Sequence, residues 1–299
     1  MGGLARRAAV YDRIHEAHEN VLVLDAGSLF GQRRDEERAQ SIFLAEETAN
    51  LGYDVFGLGE WDLNYGLSFL RQIEQKHNFT WTNANVRRDG SDELIFPPFV
   101  VREIAGLRVG MISVLSPRYK IITMTSEPDN FVVESPRDAL NEYLPALREK
   151  ADLIVLLAQM PSAEIREMLL DMGEGTGIDV CIEGHEAKQY RRVNNVGDVL
   201  LLAANNQGKY VGQVDMMVTK QGEVQDATVT IHALDQQSPE IEELAKKVDK
   251  FKADNAAKSK AALSFDHERP HGAANERFLG VHTCARCHTE TARAYAESG

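Results

Sequence analysis

Val21-Leu22-Val23-Leu24-Asp25-Ala26-Gly27 is an apolar run interrupted only by an aspartate and broken at glycine. A strand that is apolar at every position, not at every second one, is buried on both faces, and a parallel-type sheet covered by further layers offers that environment. The carboxyl end of such a strand falls in the loop 25–30, where α/β folds keep their chemistry. The chain continues in the same style. A helix over 36–51 stops at Gly52, a strand follows at 53–58, and a turn at 59–66. A helix over 67–76 leads to a strand at 79–86, and a hairpin joins 99–104 to 107–114 through Ala105-Gly106. Ser135 caps a helix that has Pro136 at its first position. A strand at 153–158, a helix over 162–172 and a strand at 178–183 come next, then antiparallel candidates at 189–194, 199–204, 212–219 and 224–233. Alternation first and antiparallel strands later predict an α/β sandwich, two sheets packed together with helices outside.

Beyond Ser238 the character changes. Ile241, Leu244, Ala245, Val248 and Phe251 mark one face of a helix that opens with Pro239 and the acids Glu240, Glu242 and Glu243. The expected organisation is a body over 1–235, a linker helix over 236–264 and a tail over 265–299. With 299 residues, 43% hydrophobic and 26% charged, the composition is that of a soluble globular protein with a sizeable core. Acids outnumber bases 46 to 33, a net charge of −13 that repels nucleic acid and anionic lipid and argues against both as partners. No run approaches the roughly 18 consecutive apolar residues that a membrane span requires.

The tail carries Cys284-Ala285-Arg286-Cys287-His288, the C-x-x-C-H pattern by which haem c is attached through two thioethers and ligated by the histidine. Two of the chain's three cysteines are spent on it. Two other readings stand beside haem. In one, Cys284 and Cys287 form half of a zinc site with Cys181 or a histidine, although a second C-x-x-C or H-x-x-x-H is missing. In the other they are a redox dithiol, although no strand-turn-helix surrounds them. His288 would be the proximal iron ligand, with His267, His271 and His282 as candidates for the sixth position. Cys181, inside a buried strand, reads as a small hydrophobe. Covalent haem attachment is an extracytoplasmic event, yet residues 1–7 contain no apolar core of a secretory signal, and residues 294–299 stop within a helical pattern. The expectation is a periplasmic or extracellular protein, truncated at its N-terminus, whose partner is another cytochrome or electron acceptor.

Several segments carry a resemblance. Gly2-Gly3-Leu4-Ala5-Arg6, Leu24-Asp25-Ala26-Gly27-Ser28-Leu29-Phe30, Gly52-Tyr53-Asp54-Val55, Asn83-Ala84-Asn85-Val86, Gly177-Ile178-Asp179-Val180 with Gly184-His185, and Gly208-Lys209-Tyr210-Val211-Gly212 occur in the order seen in bacterial 5'-nucleotidases. Residues 2–233 thus resemble the calcineurin-like metallophosphoesterase domain of that family. The resemblance implies a four-layer sandwich of two mixed sheets flanked by helices, with a dinuclear metal site at the strand ends. There two cations about 3.5–4 Å apart clamp a water that becomes the attacking hydroxide. The tail 278–288 resembles the opening of multihaem c-type cytochrome domains.

The metal ligands that the resemblance implies are mostly replaced. The family's Asp-x-His precedes the first residue here. Ser28 stands for the bridging aspartate, and a neutral hydroxyl does not hold two cations together. Glu60, Trp61 and Asp62 stand for Asn-His-Glu, and an indole offers a metal no lone pair. Gln159 stands for a lone histidine, and of the final Gly-His-x-His pair only His185 survives, with Ala187 in the second place. The expectation is therefore an electron-transfer haem protein carrying a catalytically degenerate 5'-nucleotidase-like domain. Two alternatives remain: a phosphoester hydrolase with a rearranged divalent-metal site around Glu60, Asp62 and His185, and a non-catalytic binding module whose pocket lies near Ser28 and Trp61.

Overall fold

The computed structural model describes residues 2–31, 35–123, 130–173, 175–186, 189–205 and 207–267, of which 35–37 and 259–267 are described as backbone. The chain divides into two compact units, Met1–Lys250 and Phe251–Gly299. The first opens with a helix that the sequence reading does not place, α1 (Leu4–Ala17), which turns Leu4, Ala5, Ala8 and Val10 inward. Then come β1 (Leu24–Asp25), α2 (Asp35–Ala49), β2 (Val55–Gly57), α3 (Glu60–Leu63), α4 (Leu67–His77), β3 (Trp81–Thr82) and β4 (Val86–Arg88). The hairpin β5 (Phe99–Ile104) and β6 (Leu107–Leu115) is followed by β7 (Phe131–Val133), α5 (Pro136–Arg148), β8 (Leu153–Gln159), α6 (Ser162–Met172) and β9 (Val180–Glu183). The antiparallel elements β10 (Asn195–Val196), β11 (Val199–Leu202), β12 (Tyr210–Val218) and β13 (Val224–Ala233) precede α7 (Glu242–His267), whose last described residues belong to the second unit.

β1, β2 and β3 form a parallel sheet in that order. A six-stranded sheet runs β10-β11-β9-β8-β6-β5, parallel through its centre and antiparallel at both edges. β8 is buried at every one of its 7 positions, as a continuously apolar central strand must be. Between the sheets lies a core of Ala26, Val55, Met111, Val155 and Leu157, joined by Val214, Met216 and Val224 of the β12–β13 ribbon. On the far face of the larger sheet, Leu140, Leu144 and Leu147 of α5 and Ile165 and Leu169 of α6 cover Ile112, Leu156 and Cys181. On the far face of the smaller one, Ala45 and Phe69 close over an aromatic cluster of Phe30, Phe56, Tyr65 and Trp81. Helix, sheet, sheet and helix give the four layers that the resemblance implies.

Local signals account for the elements that match. Ser135 Oγ accepts the N–H of Asp138 at 3.3 Å, with Pro136 at the first position of α5. Several expected strands are shorter than their apolar runs. The first is cut to Leu24–Asp25 because Val23 pairs with Asp54 through both backbone and side chain: its N–H donates to Asp54 Oδ2 at 2.8 Å and its carbonyl accepts from Asp54 N at 2.9 Å. A side-chain acceptor thus replaces the next rung of the ladder.

The expected strand at 79–86 divides into β3 and β4, which belong to different sheets. Asn85 causes the division. Its Nδ2 donates to the carbonyls of Leu115 at 2.7 Å and Glu134 at 2.9 Å, and its Oδ1 accepts from Leu115 N at 2.9 Å. A fully buried carboxamide does the work of a peptide group between the end of β6 and the start of α5. Likewise 189–194 holds a single isolated bridge, Gln189 to Ala204, and the paired strand begins at Asn195. Removing three buried hydrogen bonds at one residue predicts a loss of about 2–4 kcal/mol for Asn85→Ala, read as a lowered urea midpoint with unchanged slope. A shift below about 1 kcal/mol would mean that water replaces the carboxamide.

Candidate functional site

The carboxyl ends of β1, β2, β8 and β9 deliver four loops to one place. After β1 the chain turns at Ser28, whose φ of 58° is left-handed. That turn aims the Ser28 N–H at Asp62 Oδ2, 2.8 Å away, while Phe30 N donates to Oδ1 at 3.0 Å and Gly59 N to Oδ2 at 2.9 Å. Asp62 is fully buried. Burial pushes its carboxyl up to about 7, against the pull of the Phe30, Gly59 and Ser28 N–H groups. Gly59 is required here, because a Cβ at that position would collide with the backbone and hydroxyl of Ser28. Beside it, burial also raises the Asp25 carboxyl, opposed by the Gly27 N–H at 2.9 Å and by Arg7.

The side chains above this base form a chain of their own. Gln159 Nε2 donates to Ser28 Oγ at 2.9 Å, and Ser28 Oγ donates to Glu60 Oε2 at 3.2 Å. The other carboxylate oxygen, Glu60 Oε1, stands 3.3 Å from His185 Nδ1. His185 sits at a left-handed φ of 71°, and the ring of Tyr119 stacks on its imidazole with centroids 3.9 Å apart. Burial, with Glu60 and Glu164 adding to it, lifts the Tyr119 hydroxyl well above the ordinary phenol range. Glu60 is 4% exposed, so an amide, a hydroxyl, a carboxylate and an imidazole are linked at the rim of the core.

The structure therefore brings Glu60 and His185 together, and it commits both oxygens of Asp62 to backbone donors. Trp61 points outward, 37% exposed. Gln159 is 1% exposed, and Gly184 backs onto it so closely that a Cβ there would meet Gln159 Oε1. These residues do not fit a dinuclear centre. Ser28 and Gln159, at two positions where the resemblance implies metal ligands, hydrogen-bond each other, and among the described residues no three His, Cys, Asp or Glu side chains gather to hold a metal. Cys181 is buried and free, its thiol pushed up by burial and by Glu183. Ala187, His271, His282 and the haem-motif residues Cys284, Cys287 and His288 lie outside the described residues, as does the side chain of His267.

Tyr119 is the participant that sequence reasoning misses. It lies in the loop after β6, and its place over His185 depends on the course of that loop, for which no local pattern gives a sign. The Asp62 staple generates a prediction. In Asp62→Asn an NH2 faces backbone N–H groups, so stability should fall by about 2–4 kcal/mol, whereas Trp61→Ala should stay within about 1 kcal/mol of wild type. Chemical denaturation of both variants measures the contrast, and equal losses would refute the structural role of Asp62.

No family model matches the chain. The trifunctional nucleotide phosphoesterase YfkN of Bacillus subtilis is 26% identical over 259 residues, 73% of this chain and 18% of that protein. The 2',3'-cyclic-nucleotide 2'-phosphodiesterase/3'-nucleotidase of Salmonella typhimurium is 23% identical over 209 residues, 61% of this chain and 32% of that protein. This chain thus spans less than a third of the length of either relative. Among solved structures, a 5'-nucleotidase precursor from Thermus thermophilus superimposes with a TM-score of 0.70 at 21% identity, covering 88% of this chain and 54% of its own. The calcineurin-like phosphoesterase YfkN from Bacillus subtilis gives 0.68 at 21% identity, covering 85% and 89%. The body of the chain has the mixed α/β fold of the calcineurin-like 5'-nucleotidases and metallophosphoesterases.

Proposed function

We propose that the body of this chain is a 5'-nucleotidase-like module that does not carry out two-metal phosphoester hydrolysis, and that the whole chain is an extracytoplasmic c-type haem protein. One observation carries the first half. At the positions where the resemblance implies bridging and terminal metal ligands, Ser28, Glu60, Gln159 and His185 are tied to one another. Ser28 lacks the charge to bridge two cations, and Gln159 presents its Nε2 donor, not a lone pair, toward Ser28. The second half rests on the pentapeptide, in which Cys284 and Cys287 would carry haem c and His288 would ligate its iron. When bound, that haem supplies one-electron transfer, with a second cytochrome or another acceptor as redox partner. Attachment requires export, which makes the location periplasmic or extracellular.

A second reading has its own support. Glu60 and His185 already face each other across the loops that follow β2 and β9, and a carboxylate and an imidazole suit one divalent cation. The curated relatives are named as nucleotide phosphoesterases. In this reading the chain would hydrolyse phosphate esters of that class with a rearranged site at Glu60 and His185, Asp62 holding the turn beneath them.

Two measurements decide. Full-length protein assayed with 5'-nucleotides and 2',3'-cyclic nucleotides in the presence of Mn²⁺, Zn²⁺ or Ca²⁺ should show no turnover above background. Metal-dependent turnover that disappears in His185→Ala and Glu60→Gln would replace the first reading by the second. Expressed with an export signal and cytochrome-maturation machinery, the chain should retain haem stain after denaturing electrophoresis and lose it in the Cys284→Ala/Cys287→Ala double variant. An unstained wild-type band ends the haem assignment.

A further inference from the structure

A groove of about 520 Å³ opens beside the end of β9, between α6 and the segment 189–194. The segment is fixed against β11 at both ends: Tyr190 N donates to Ala203 O at 3.1 Å, and Asn194 O accepts from Leu201 N at 2.7 Å. Arg166, Gln189, Tyr190, Arg191, Arg192 and Asn194 line it. Arg166 Nη2 donates to the Tyr190 hydroxyl at 3.1 Å, and that hydroxyl donates to Glu183 Oε1 at 3.0 Å, so the guanidinium is anchored through the tyrosine. Arg191 and Arg192 are exposed and make no ion pair with another described residue.

Two further donors face no acceptor. Gln189 Nε2 and Asn194 Nδ2 are both buried, and neither has a hydrogen-bond partner among the described residues. A buried donor left unsatisfied costs about 1–3 kcal/mol, so these amides mark the wall of the groove as polar and incompletely satisfied. Three guanidinium groups around one concavity also stand against the chain's net charge of −13. Guanidinium forks recognise phosphate oxygens by paired, charge-assisted hydrogen bonds.

The geometry points to an oxyanion site: the groove binds a tetrahedral oxyanion, as free phosphate or as the phosphate of an organic monoester such as a nucleotide. The site is separate from the Ser28–His185 chain and does not depend on whether that chain turns over substrate.

Calorimetric titration of the full chain with inorganic phosphate, sulfate and AMP, at constant ionic strength set by chloride, tests the inference. Saturable binding with a Kd below about 1 mM is expected, weakened at least about tenfold by Arg191→Ala/Arg192→Ala and by Asn194→Asp. The arginine pair is exposed, so that variant should keep the fold, which circular dichroism checks. Phosphate and AMP binding alike identify the free ion as the ligand chemistry, while AMP binding at least about tenfold more tightly identifies an organic phosphate. No saturable heat with any of the three at about 10 mM, or equal binding by wild type and the arginine variant, overturns the inference.

Discussion

The carboxylate of Asp62 holds the strand-end region together. It takes three backbone N–H groups, from Ser28, Phe30 and Gly59, and so joins the loop after β1 to the turn after β2. Both loops leave parallel strands and carry N–H groups for which the sheet offers no further carbonyl, and a single buried side chain supplies the missing acceptor. The consequence extends inward. With Phe30 N fixed, its ring enters the aromatic cluster against Tyr65, Phe69 and Trp81, which seats α4 on the smaller sheet. It also extends outward, since the same turn sets Ser28 Oγ within reach of Glu60 and Gln159.

Around that anchor the four-layer packing separates two kinds of surface at the strand ends. One is a closed chain of neutral and acidic groups, Gln159, Ser28, Glu60 and His185, roofed by Tyr119. The other is an open groove of cationic and amide donors beside β9. They are close in sequence, His185 and Gln189 being four residues apart, and opposite in electrostatic character. Glu183 at the end of β9 is tied to Arg166 through the Tyr190 hydroxyl, on the side of the groove.

Much of this was legible in the sequence where the signal was local. The hairpin around Ala105-Gly106, the Ser135 cap and the helix over 162–172 each depend on a turn, a cap or a period that a short window contains. The elements that differ depend on distant partners. β1 is short because a side chain from residue 54 fills its next rung, and β3 parts from β4 because Asn85 bridges residues 115 and 134. Helix α1 buries Leu4, Ala5 and Ala8 in one cluster and Val10 in another, a pattern too sparse and too spread around the helix to stand out from its arginines. In the site, motif order was enough to place Glu60 near His185. The engagement of Asp62 by three N–H groups and the stacking of Tyr119 are tertiary facts that no spacing encodes.

The Ser28–Glu60 hydrogen bond has a consequence for any acid placed at residue 28. A carboxylate introduced at residue 28 would arrive about where Oγ now lies, 3.2 Å from Glu60 Oε2. Two like charges at that distance, with no cation between them, disfavour each other's ionisation. An aspartate at residue 28 would therefore weaken the fold unless a cation bound between the two carboxylates and offset their repulsion.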